Sequence, residues 1–421
     1  MIKKSILLLL LLVSGCLFAY PVNTEEPVVR VLLYQGDKPV TVYSPGGWHA
    51  QIDELALFKG QGLPGEKYLI KPDQGSIVIL DSGSGEVVRS EQYLWLLPAK
   101  EDNPMYVKDY PYRGWLWVGN QGGRILVVNC LEISQYLAGV LPWEISQKYP
   151  EALKAQAVVS RTYALGRLKG KKAAYDVSAD VNSQVYKGMR IETAASDAAI
   201  KETGDLVLFF KGNLLKHALF HSCCGGNTAG LDEAFGDEEA EYLPGVICGF
   251  DPPVADKNTK EGALPLPPQE GFCRDCPHYD WEISWTNEEL EKILKPILKS
   301  GEIKLQNLEI KERSDSGRVK FLEITTDKGT FVSEKDNVRR VLLYNKEGQM
   351  SILPSSLFEL EKTEQGYTAK GRGWGHGVGL CQWGAMGMAQ RGENFYAILN
   401  HYYPGCEIKS YRNFVPTGKG N

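Results

Sequence analysis

Long hydrophobic runs are what this sequence most conspicuously lacks. No segment approaches the roughly 20 apolar residues of a bilayer-spanning helix, and the short run at residues 6–13 falls well below it. Positive charge is not in excess either. The 47 Lys and Arg stand against 52 Asp and Glu, and the net charge of −5 leaves no electrostatic footprint for nucleic acid. An acidic protein that binds glycan or cell wall is compatible with that balance. Internal repeats and long low-complexity tracts are also missing, which excludes a repeat architecture. The remainder is ordinary globular composition, 43% hydrophobic and 24% charged over 421 residues. That length suits one large domain or two of common size.

The N-terminus carries its own signal. Met1, Ile2, Lys3 and Lys4 form a basic stretch before the apolar run at 6–13, the pattern of an export leader. The run closes on Val13-Ser14-Gly15-Cys16. Cys16 is either the acylated residue of a bacterial lipobox or an incidental residue of a secretory leader. Export to the cell envelope, on the periplasmic or extracellular side, is expected, with a lipid anchor as the only membrane attachment. Setting Cys16 aside leaves eight cysteines, an even number that in an oxidising compartment points to disulfides.

Residues 28–126 read as a β-rich region. Apolar, β-branched or aromatic runs at 28–33, 76–80 and 93–97 alternate with turn formers such as Pro45-Gly46-Gly47 and Asp81-Ser82-Gly83. After a strand at 124–128 the texture changes. Ile133, Leu137, Val140 and Leu141 fall at helical spacing until Pro142 interrupts them. A second helix, rich in Ala, is expected at 150–168, and a third at 193–203 before a strand at 206–210. Residues 251–270 read as an exposed loop insertion. Residues 287–299 read as helix, 305–333 as strand-like and 396–403 as a closing short helix. The fold class expected is α+β.

Glu144 stands out on position. It lies four residues beyond Val140 and eleven beyond Ile133, so it extends the apolar face of the first helix, next to Trp143. A carboxylate carried towards an apolar wall loses hydration, stays protonated near neutral pH and can donate to a glycosidic oxygen. Gln156, Ser160, Tyr163 and Arg167 share one face of the second helix, a face that composition alone would leave in solvent. Trp374-Gly375-His376-Gly377-Val378-Gly379 is a glycine-rich loop without the Lys of a phosphate-binding loop. Close backbone approach to a ligand is the use expected of its glycines. His376 either meets substrate or packs under the loop.

Four blocks in order carry a resemblance. They are residues 132–145 running on through 150–164, Ser183-Gln184-Val185-Tyr186-Lys187-Gly188, residues 220–228 and residues 371–385, followed by 399–405. Residues 127–410 resemble the SpoIID/LytB family, named for stage II sporulation protein D and an amidase enhancer, over about two-thirds of the chain. The resemblance implies a mixed domain of helices and antiparallel strands after the β-rich region at 28–126. It also implies cleavage of peptidoglycan glycan by lytic transglycosylation, with Glu144 as the catalytic residue and a cell-wall amidase as a further partner. Within the matching blocks, Gln156, Arg161, Tyr163, Gln184, Tyr186, Gly375, His376, Gly377 and Gln382 are the residues expected to bind substrate or support the acid.

No cofactor and no metal ligand are assigned. Some clostridial members of the family bind zinc near the second block, but Asp180-Val181-Asn182-Ser183-Gln184 supplies none of those His and Cys ligands here. Cys273 and Cys276 have CxxC spacing, yet Cys223 and Cys224 are adjacent, which is poor chelate geometry. Disulfides within this cluster are therefore the expectation. The rival to an enzyme is a wall-binding protein that activates an amidase without cutting glycan.

Overall fold

The computed structural model describes residues 24–52, 57–170, 173–180, 183–236, 240–250, 267–268, 270–299 and 301–413. The leader at 1–15, Cys16 and most of the insertion at 251–270 lie outside the described residues. Of the described residues, helices hold 23% and strands 39%, a mixed α+β fold with a β-rich N-terminal region. The chain divides into two compact units, one of Met1–Val140 with Arg167–Ile191 and the other of Leu141–Gly166 with Glu192–Asn421.

In the first unit the runs read as strands assemble into two sheets. One has seven strands in the order Val177–Ser178, Val28–Gly36, Arg124–Glu132, Trp115–Gln121, Leu94–Pro98, Trp48–Ile52 and Leu57–Gly62. Arg124–Glu132 lies inside it, antiparallel to both neighbours, and is buried from Ile125 to Leu131. That burial explains why it reads as a continuous apolar run rather than an alternating one. Trp95, Trp115 and Trp117 pack with Leu126, Val128 and Cys130 beside it. The second sheet has six strands, with Ser76–Leu80 buried at four of its five positions.

One polar contact fixes this unit across the sequence. Arg30 and Asp176 are both buried, and the guanidinium donates to both carboxylate oxygens at 3.0 and 2.6 Å. Asp176 also accepts from the backbone N–H of Arg30 and of Lys169. The unit's helix, α1 (Ile133–Ala138), is shorter than its periodicity suggests. It ends at Gly139, where an added Cβ would lie 2.5 Å from the Tyr186 ring. The helical phase that would carry Ile133 round to Glu144 is therefore broken. Glu144 belongs instead to a separate short turn.

The second unit is organised around one helix. Its helices are α2 (Leu141–Glu144), α3 (Pro150–Gly166), α4 (Ala194–Thr203), α5 (Leu231–Ala234), α6 (Asn287–Ile297), α7 (Val338–Val341), α8 (Gln382–Gln390) and α9 (Phe395–Tyr402). Pro150 opens α3, where its missing N–H costs nothing. Eleven of the seventeen α3 residues are buried, because the helix packs against α2, α4, α8, α9 and the strand Leu206–Phe210. Small side chains such as Ala152, Ala155 and Ala157 permit that enclosure. Capping boxes start α4 at Thr193 and α6 at Thr286. The strand-like stretch near 305–333 is a three-stranded antiparallel sheet, Leu305–Arg313, Val319–Thr326 and Gly329–Glu334. It shares a core with Leu290 and Leu294 of α6.

Candidate functional site

Glu144 is the last residue of α2, a single turn packed against α3. The turn is short because Pro142 and the following Ile145-Ser146 leave little helical propensity. Leu141 and Ile145 are buried and anchor it, while Trp143 is 61% exposed and Glu144 is half-buried. The carboxyl group thus sits at the edge of a core, beside an indole open to solvent. A sugar ring can stack on such an indole while a nearby acid reaches its linkage oxygen. Glu151, the other acid of this block, has a different place. It accepts from the Phe395 N–H at 2.9 Å and pairs with Lys154 at 2.8 Å, tying the start of α3 to α9.

The polar residues of α3 do not form a solvated face. Gln156 and Ser160 are fully buried, and the Gln156 amide donates to the Ser160 hydroxyl at 3.1 Å. Arg161 is also buried. Its guanidinium donates to the Leu206 carbonyl, the Ile200 carbonyl and the Thr203 hydroxyl, clamping α3 to α4 and its following strand. Tyr163 is half-buried. Seventeen residues enclosed on so many sides leave little room for the wet face that hydrophobicity alone suggests.

Gln184 and Tyr186 belong to the first unit and are buried there. Gln184 accepts from the Tyr136 hydroxyl at 3.0 Å, and the Tyr186 hydroxyl donates to Asn129 at 2.7 Å. The Tyr186 ring stacks on Tyr136 with centroids 5.5 Å apart. Neither Tyr136 nor Asn129 was anticipated as a partner. The signal available was their place in the flanking apolar strand and helix, which identifies a core position and not its contact.

Gly375, His376, Gly377 and Gln382 lie in the second unit. The glycines make room for the protein's own groups. Gly377 has φ +84°, and a Cβ there would stand 2.3 Å from the Arg318 guanidinium; at Gly379 it would stand 2.0 Å from the Leu219 carbonyl. Gln382 is buried at the start of α8. The helix itself was not legible in a run as glycine-rich as Gln382-Trp383-Gly384-Ala385-Met386-Gly387. Gly384 and Gly387 are packing positions, where a Cβ would meet the Tyr402 hydroxyl or the Phe272 carbonyl at 1.9 Å.

Part of His376 reaches the surface, but its ring is flanked by Phe235 and His221 at 5.1 and 5.6 Å between centroids. Its Nδ1 accepts from the Val378 N–H at 3.0 Å. Burial pushes its pKa well below the usual 6.5, and the neighbouring His221, Arg339 and Arg318 add to the effect. The imidazole is thus neutral near pH 7, a hydrogen-bonding group rather than a cation. A depressed folded pKa gives stability that is fully present above 6.5 and lost as pH falls below it. His376→Asn keeps an acceptor near the Nδ1 position and should flatten that acid-side slope, leaving the part due to His401, which burial also depresses. Denaturant unfolding of both proteins from pH 7.5 downward, over roughly two units, measures it; equal slopes would exclude His376 as the source.

The cysteines depart from expectation. All eight described cysteines are free thiols, and no disulfide joins any of them. The sulfurs of Cys224, Cys248, Cys273 and Cys381 converge instead, each within 4.8 Å of the others. The CxxC pair is split, since Cys276 is outside this group, and so is the adjacent pair, since Cys223 is outside it too. His221 was read only as part of its block. It is buried, with Nδ1 against the Val378 carbonyl at 3.1 Å and Nε2 without a hydrogen-bond partner among the described residues.

The first two blocks fall within a matching family model. The family model "Stage II sporulation protein" matches residues 121–210, and a domain of unknown function (DUF8618) matches residues 232–379. An uncharacterized protein of Brachyspira hyodysenteriae is 32% identical over 317 residues, covering 74% of this chain and 76% of its own. The amidase enhancer of Bacillus subtilis is 27% identical over 307 residues, covering 65% of this chain and 40% of its own length. Stage II sporulation protein D of Bacillus subtilis is 25% identical, covering 68% and 77%. These likenesses fit a cell-wall protein with a peptidoglycan-related role. The chain belongs to the SpoIID/LytB family.

Proposed function

We propose that the protein is a lytic transglycosylase that cuts peptidoglycan glycan strands with Glu144 as its acid and base. The observation that carries this reading is the half-buried Glu144 on α2, beside an exposed Trp143, inside the stretch that the family model matches. Glu144 donates its proton to the glycosidic oxygen as the bond to the muramic C1 breaks. The carboxylate then takes a proton from the muramic C6 hydroxyl as that oxygen attacks C1, closing an anhydro ring. The proton lost in the first step is regained in the second, and no water is consumed. One carboxyl group suffices, whereas hydrolysis ordinarily requires two; Glu151, the other acid of the block, is already engaged by Lys154 and Phe395.

Mass spectrometry of purified strands, intact and stripped of stem peptides, tests the reaction type. Anhydro-muramic ends support it, and ordinary reducing ends would exclude it. The second reading, a wall-binding protein that stimulates an amidase without cutting glycan, is favoured by the likeness to the amidase enhancer. Uncut strands together with faster amidase action in a mixture would establish it.

Either role places the protein outside the cytoplasmic membrane, and the basic Lys3-Lys4 start, the apolar run and Cys16 support export. In cell fractionation, Cys16→Ala should leave the membrane fraction yet stay outside the cytoplasm if Cys16 bears lipid. Unchanged partitioning would exclude the anchor, and wild-type protein soluble in the cytoplasm would exclude export.

A further inference from the structure

We propose that Cys224, Cys248, Cys273 and Cys381 bind one zinc ion through four thiolates, a structural centre at the base of the glycine-rich loop. The four sulfurs lie within 4.8 Å of one another, and those of Cys224 and Cys273 are 3.6 Å apart. Tetrahedral zinc with Zn–S near 2.3 Å sets its sulfurs about 3.8 Å apart, so a small inward adjustment closes the set. Disulfides would draw sulfurs together in pairs at about 2.05 Å and need no four-way convergence. A cubane of iron and sulfide binds each thiolate to a different iron and would spread them further.

The ligands come from separate stretches that the fold brings together. Cys224 follows the strand Phe220–His221, and Cys381 ends the strand Leu380–Cys381, which pairs with it in parallel. Cys248 and Cys273 are joined through the Gly249–Gly271 bridge and the bond from the Phe272 N–H to the Cys248 carbonyl. All four are buried. Four soft protein donors with no open position describe a closed zinc site and not a catalytic one.

Two further observations fit a thiolate centre. Donors point at the sulfurs: the N–H groups of Cys224 and Gly384 each lie 3.3 Å from the Cys381 Sγ, and the Tyr402 hydroxyl lies 3.2 Å from the Cys248 Sγ. Gly384 is the residue that allows this approach, since a Cβ would stand 2.6 Å from the Cys248 Sγ. The second observation is Arg318, which is 1% exposed. It donates to the carbonyls of Cys224 and Asn227 at 2.9 and 3.0 Å, its Nε has no partner, and it makes no ion pair among the described residues. A buried cation with no direct ion-pair partner is unfavourable, and Glu233 and Asp336 act on it only from beyond ion-pair distance. Four thiolates around one divalent ion carry a net double negative charge beside it.

The centre ties Cys381, two residues past Gly379, to the Cys248 and Cys273 segments, and so holds both ends of the region that carries His376. Metal analysis of the purified full-length chain should find one zinc per chain. Cys248→Ser and Cys224→Ser should lose it, while Cys130→Ser and Cys406→Ser keep it. A ligand variant can fail to fold, so the wild type carries an independent measurement. Exchange of its metal for cobalt should produce the intense visible bands and thiolate charge-transfer absorption of a tetrahedral sulfur site. Metal-free protein with no cobalt bands, whose non-reducing peptide map joins these cysteines as disulfides, would overturn the proposal. Neither readout depends on glycan cleavage.

Discussion

Glu144→Gln should lower the release of anhydro-muramic ends by roughly 100- to 10,000-fold, the usual cost of losing a general acid. The substitution preserves shape and removes only the exchangeable proton of a half-buried side chain. Thermal unfolding should therefore be unchanged, which separates lost chemistry from lost structure. Product analysis by mass spectrometry with matched enzyme concentrations measures the drop. Turnover near that of the wild type would show that another group supplies the proton.

The largest expected effect on stability lies in the first unit. Asp176→Ala should destabilise it by about 3–5 kcal/mol, the range for breaking a buried ion pair by removing one partner. The reason is the charge left behind: Arg30 stays buried among the strands with its bidentate acceptor gone. Two backbone N–H groups, of Arg30 and Lys169, lose their acceptor at the same time. Urea unfolding followed by the fluorescence of Trp95, Trp115 and Trp117 should show a clear fall in midpoint. A midpoint close to the wild type would mean that the site admits water once the carboxylate is gone.

Much of the fold was legible because its signals are local. Pro150 and the alanines that follow specify α3, Thr193 and Thr286 specify the starts of α4 and α6, and β-branched runs specify strands such as Ser76–Leu80. The misses are tertiary. Gln156 and Ser160 share a face that composition alone would leave in solvent, until four other helices and a strand enclose them. The glycines of α8 look like a loop until Phe272 and Tyr402 press against them. Glu144 reads as an extension of the first helix's apolar face until Gly139 must make room for Tyr186. Adjacency and CxxC spacing are chain properties, whereas the convergent set takes one member from each pair. For the site, the matching blocks supplied the candidates, and the structure separates Glu144 at a surface edge from Gln184 and Tyr186 inside another unit.

The first unit is built from two stretches of chain, and this constrains the order in which it can be made. Its strand Val177–Ser178 lies parallel to Val28–Gly36, and Asp176 neutralises Arg30. A chain growing from its N-terminus therefore has the main sheet in hand long before the residues that complete it. Until about residue 191 has emerged, the nascent sheet carries an open edge and an arginine without its acid. Such an edge invites pairing with other chains. A fragment stopped at Val140 should share that hazard permanently, so the excisable piece is one that joins 24–140 directly to 167–191 through a short linker.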